Sequence, residues 1–112
     1  MVPAEKGDSN MAHSLKSAAF LIDTRIADAA MGNVNALYEL GVAYSTGSDG
    51  VDIDLIEAHK WFNLAALSGS ALAQQCRAEI ADDMTAREIA EAQRGARAWL
   101  AATASTTERH AA

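Results

Sequence analysis

The sequence predicts an all-α fold, and three observations carry that reading. The 112 residues include 26 alanines, which lose no side-chain entropy in a helix. There is a single proline, the residue that most often interrupts helices. Val, Ile and Thr are scattered and never alternate with polar residues over the length of a strand, which disfavours a sandwich or barrel. The length is that of one small domain. Only 5% of the residues are aromatic, so the core must gain its contacts from small side chains that let helices approach closely.

Residues 1–12 read as a loose polar arm containing Pro3, Gly7, Asp8, Ser9 and Asn10. Ser14 is placed to cap a first helix to about Met31. Its apolar stripe is Leu15, Ala18, Ile22, Ile26 and Ala29, at spacings of three and four. Gly32-Asn33 ends it, and a second helix runs from Asn33 or Val34 to Tyr44, with Val34, Leu37, Leu40, Gly41 and Tyr44 on one face. Residues 45–50, rich in Ser, Gly and Asp, form a loop.

Asp54 caps a third helix to about Leu67, with Glu57 in capping-box spacing. Its stripe is Leu55, Ala58, Phe62, Ala65 and Ala66, widened by Trp61 and Leu64. Ser68-Gly69-Ser70 breaks the chain before a fourth helix over 71–81. Thr85 and Glu88 form a second capping box, opening a fifth helix to about Ala101. Ile89, Ala92, Ala96, Trp99 and Leu100 make its stripe, with Arg87–Glu91 and Glu91–Arg94 as surface pairs. Residues 103–112 read as a disordered tail, leaving 13–102 as the helical domain.

Charge narrows the class of partner. The formal net charge is −6. Residues 1–84 hold five Lys/Arg against 12 Asp/Glu, whereas residues 85–112 hold four Arg against three Glu. So acidic a body is a poor match for nucleic-acid phosphates or an anionic membrane surface. The chain has no apolar run long enough to span a bilayer and no secretory h-region, so cytoplasmic residence is expected. Cys76 is the single cysteine, which excludes an intramolecular disulfide and reads as a small buried apolar residue.

Catalytic and metal-binding patterns are lacking. His13, His59 and His110 stand in no ligand spacing, and His59 beside Lys60 reads as a solvated or edge residue. The acidic run 49–54 does not fit a calcium loop. With Gly50 at the sixth position, the first and twelfth fall on Ser45 and Ile56. Turn chemistry and helix capping account for it. There is no nucleophile elbow and no phosphate loop, and neither a cofactor nor a metal is expected.

Self-comparison finds a spacing of 37 between Gly32 and Gly69 and between Ala36 and Ala73. The run ALYELGVAY over 36–44, then Gly47, Gly50-Val51 and Asp54, then AHKWFNLAALSG over 58–69, resembles the Sel-one-like repeat of the tetratricopeptide-repeat superfamily. One full repeat, 33–69, carries the signature positions Ala36, Leu40, Gly41, Tyr44, Gly47, Gly50, Asp54, Ala58, Trp61, Phe62, Ala65, Ala66 and Gly69. Residues 14–31 resemble the second helix of a preceding repeat. The segment after Gly69 resembles the degenerate closing element of bacterial members of the family.

The resemblance implies a short right-handed α/α solenoid of about five antiparallel helices, with one complete repeat. It also implies a non-enzymatic adaptor that binds another protein or peptide on a concave face. Asn35, Glu39, Val42, Gln74 and Gln75 are the candidates for that face, and the acidic body favours a basic partner. The alternative reading is a self-associating homo-dimer. So short a solenoid is marginal alone, and apolar residues at its open ends, such as Phe20, Met31 and Leu100, are available to pair.

Overall fold

The computed structural model describes residues 19–111, with side chains through Ala104. Among the described residues there are five helices and no strand. They are α1 (19–30), α2 (Val34–Thr46), α3 (Leu55–Leu67), α4 (Ala71–Ala81) and α5 (Ala86–Ala111). The all-α expectation holds. The N-terminal arm, the Ser14 cap, Leu15 and Ala18 lie outside the described residues.

Helices α2 to α5 each start where their capping chemistry dictates. The Asn33 side chain accepts from the Ala36 amide at 3.1 Å, and Asp54 accepts from the Glu57 amide at 3.1 Å. Ser70 does the same for Ala73 at 3.1 Å. A cap of this kind contributes about 1 kcal/mol. At α5 both halves of the capping box form: the Thr85 amide donates to Glu88 and the Glu88 amide donates to the Thr85 hydroxyl. At α3 only the Asp54 half forms, because the Glu57 carboxylate turns to Lys60 instead, 2.7 Å away.

The two sharp junctions have the same construction. Gly32 and Gly69 adopt φ of 91° and 105°, a region that costs a side-chain-bearing residue dearly. The amide of the next residue then reaches back to the helix just ended, Asn33 to the Asp28 carbonyl at 3.1 Å and Ser70 to that of Ala65 at 3.0 Å. Asn33 and Ser70 go on to cap α2 and α4, whose third residues, Ala36 and Ala73, are both buried.

Helix α3 is the centre of the molecule. Helices α2, α4 and α5 all pack on it, and α5 leans on α3 more than on its chain neighbour α4. Leu40, Ala43, Ala58, Ala65 and Ala73 are fully enclosed at these seams. Gly41 of α2 lies flat against the Phe62 ring, so that a Cβ there would stand 2.5 Å from a ring carbon. Phe62 also meets Tyr38, with ring centroids 5.7 Å apart. Trp61 meets Trp99 edge-on at 4.8 Å, joining α3 to α5. Burying side chains as large as Phe62 and Leu40 contributes about 1.5–3 kcal/mol each.

Two helix ends differ from the sequence reading. Helix α2 continues past Tyr44 to Thr46, and the Ser45 and Thr46 hydroxyls both bond back to the Val42 carbonyl. Gly47, at φ 73°, then stops it. Helix α5 runs to Ala111 rather than ending near Ala101, so the backbone of the expected tail is helical. Residues 101–111 contain neither Gly nor Pro, and the Thr103 hydroxyl folds back onto the Trp99 carbonyl.

Candidate functional site

The signature positions divide by role. Ala36, Leu40, Gly41, Ala58, Trp61, Phe62 and Ala65 are buried, and Tyr44 and Ala66 are half-buried against the same core. Gly47, Gly50, Asp54 and Gly69 sit exposed in the turns. The five candidates for a concave face are less uniform. Asn35, Glu39, Gln74 and Gln75 are exposed, whereas Val42 packs on the core. Glu39 is engaged by Arg25 of α1 at 2.9 Å. The two cavities described below are lined by none of the five.

Arg25 also holds Asp49, which stands in the α2–α3 loop at a positive φ of 59°. The guanidinium thus ties α1, α2 and the loop together. The bond to Asp49 raises its already high pKa further. The acidic run is therefore spent on structure: Asp49 on Arg25, Asp54 on the α3 cap, with Asp52 exposed. No group of three or more His, Cys, Asp or Glu among the described residues is placed to hold a metal ion.

An apolar groove of about 420 Å³ opens at one end of the helix stack. The last turn of α1 and its junction, residues 29–32, form one wall. Trp99, Leu100, Thr103 and Ala104 of α5 form the other. Leu37, Leu64 and Ser68 make the floor. No lining residue carries a charge. At its lip Met31 is 84% exposed and Leu100 46% exposed, which makes this the place where large apolar side chains meet water around a concavity. The sequence reading named both residues as open-end apolar positions. Phe20, the third, is 70% exposed on α1 and does not line the groove. The groove itself was not readable from the sequence, because it depends on α5 lying along α3 and continuing past residue 101.

A second, smaller cavity of about 280 Å³ lies between the start of α3 and α5, lined by Asp54, Ile56, Glu57, Lys60, Glu91, Ala92 and Gly95. Its titratable groups are largely committed, Asp54 to the cap and Glu57 to Lys60. Lys60 also stands 4.5 Å from the centre of the Trp61 ring.

His59 corrects the sequence reading. It is 4% exposed, with Nδ1 unbonded among the described residues, rather than at a solvated edge. It faces away from Lys60 toward α4, one turn before Asn63, whose side-chain oxygen accepts from Arg77. Burial lowers the His59 pKa, and the positive Arg77 lowers it further. Cys76 is half-buried against the core. The expected surface pairs Arg87–Glu91 and Glu91–Arg94 do not form: the ion pairs among the described residues are those of Arg25 and Lys60.

Comparison of the chain with family models, with curated proteins and with solved structures finds no match in any of the three.

Proposed function

We propose that the chain is a protein–protein interaction module of the Sel-one-like helical-repeat kind, with no catalytic activity of its own. The observation that carries this reading is the uncharged groove with Met31 and Leu100 exposed at its lip. A concave apolar surface of this kind suits the apolar face of a protein helix. The recurrence of one helix junction at Gly32 and Gly69 supports the repeat kinship. We assign the docking surface to the groove in preference to Asn35, Glu39, Val42, Gln74 and Gln75. Glu39 is already engaged by Arg25, and Val42 packs on the core.

No helix among the described residues is long and apolar enough to cross a membrane. In this reading the module works in the cytoplasm, where the single Cys76 thiol stays reduced.

Affinity capture with the tagged chain tests the proposal against Leu100→Glu and Ala30→Glu, both at exposed positions of the groove wall. Loss of captured protein at an unchanged melting temperature is the expected result. Equal recovery by all three chains overturns the assignment.

A further inference from the structure

We propose that the occupant of this groove is a second copy of the chain, joined across a two-fold axis. The inference rests on the interaction reading above and names its partner. Its basis is that each of the two wall helices carries an exposed charge, of opposite sign, beyond the residues that line the groove. On α5, Arg97 precedes Ala104 by seven residues and Leu100 by three, which puts it on the lip side of that helix. On α1, Asp23 precedes Ala30 by seven residues and so shares its face. Both are exposed, and neither has an ion-pair partner among the described residues.

A two-fold contact is isologous: whatever α5 of one copy touches on α1 of the other is touched again in reverse. With α5 of each copy running parallel to α1 of the other, the contact brings Arg97 to Asp23 twice, because each stands seven residues before its wall residue, Ala104 or Ala30. It also covers Met31 and Leu100 of both copies. The alternative two-fold, α5 against α5, sets Arg97 against its own equivalent and is disfavoured by like charge. The groove that this contact covers is apolar, as homodimer interfaces are at their centres. A standard interface needs about 800 Å² per partner, roughly a ninth of the 7225 Å² that the chain exposes.

Sedimentation equilibrium at low and high salt tests the proposal. The wild-type chain is expected to give twice the 11.8 kDa chain mass, and to dissociate more readily as salt rises. Arg97→Asp or Asp23→Arg alone should weaken the dimer at least about tenfold at low salt, and the two together should restore it to within about threefold. Both positions are exposed, so circular dichroism is expected to report an unchanged fold in each variant.

A single-chain mass at every concentration up to about 1 mM overturns the inference. So does a dimer that is indifferent to both charge reversals. A monomer that still captures a different protein, with capture lost in Leu100→Glu, overturns the second copy but leaves the interaction reading standing. A monomer without groove-dependent capture overturns both.

Discussion

Replacing Gly41 by alanine sets two known effects against each other. In an unobstructed helix interior, Gly→Ala stabilises by up to about 1 kcal/mol, because the unfolded chain loses freedom. At Gly41 the new Cβ would stand 2.5, 2.6 and 2.8 Å from three carbons of the Phe62 ring. Carbon atoms at rest sit about 3.5–4.0 Å apart, so the ring must withdraw by about 1 Å. Phe62 is fully buried between α2 and α3, with Tyr38 packed on it. It can withdraw only by opening that seam. Overpacking of this kind costs about 1–3 kcal/mol, and three displaced ring atoms put it near the upper end.

The net loss is then about 2 kcal/mol. That corresponds to a fall in melting temperature of about 8–16 °C for a domain of this size. Gly95 in α5 is the control. There a Cβ meets only Lys60 Cδ at 3.1 Å, part of a flexible side chain, so Gly95→Ala should raise the melting temperature by a few degrees. Thermal melts followed by circular dichroism decide between them. Adding Phe62→Leu to Gly41→Ala should cost less than the two losses summed. If both glycine variants shift the melt in the same direction, the packing argument is refuted.

Other substitutions test separate parts of the structure. Trp61→Ala removes the bridge to Trp99 and should cost about 3–5 kcal/mol in a urea melt, while Trp61→Phe should cost less because it also removes a buried, unbonded Nε1. A shift of a degree or two for Trp61→Ala would show that Trp61 is not core. His59 should make the fold acid-sensitive. Above its ordinary pKa of 6.5 it is neutral in both states and stability is full. As pH falls below 6.5 the unfolded chain takes up a proton that the folded chain resists, and stability drops until the lowered folded value is passed. His59→Leu should flatten that part of the pH profile of the urea midpoint, and an unchanged profile would remove His59 as its source. Arg25→Ala frees Glu39 and Asp49 together and should cost about 1 kcal/mol at low salt and less at high salt. Faster hydrogen exchange at the Val51 and Asp54 amides, which close the loop, should accompany it.

Local structure was legible because its causes are local. Asp54 and Thr85 cap the helices that follow them, and Gly32 and Gly69 mark the breaks after the helices that precede them, as the sequence reads; Asn33 and Ser70, read only as part of those breaks, also cap. The apolar stripes of α2 and α3 mark the buried faces for the same reason. What escaped the sequence depends on where helices settle against one another. His59 is enclosed because α4 covers the flank of α3 on which it lies, a face that the stripe of α3 does not reveal. Glu39 is lost to a groove because Arg25, fourteen residues earlier in another helix, reaches it. The apolar groove is assembled from four helices, and no single stretch of sequence encodes it.

The most direct measurement of the central claim is site-specific photo-crosslinking. A photoreactive residue at position 100 lies at the groove lip, while one at Ala98 lies on the opposite, exposed face of α5. In cell extract and with the pure chain, the expected result is a protein adduct from position 100 and none from position 98, with the pure chain crosslinking to itself at twice its mass. Equal adducts from both positions, or none from position 100, would contradict the assignment of the groove as a protein-binding surface.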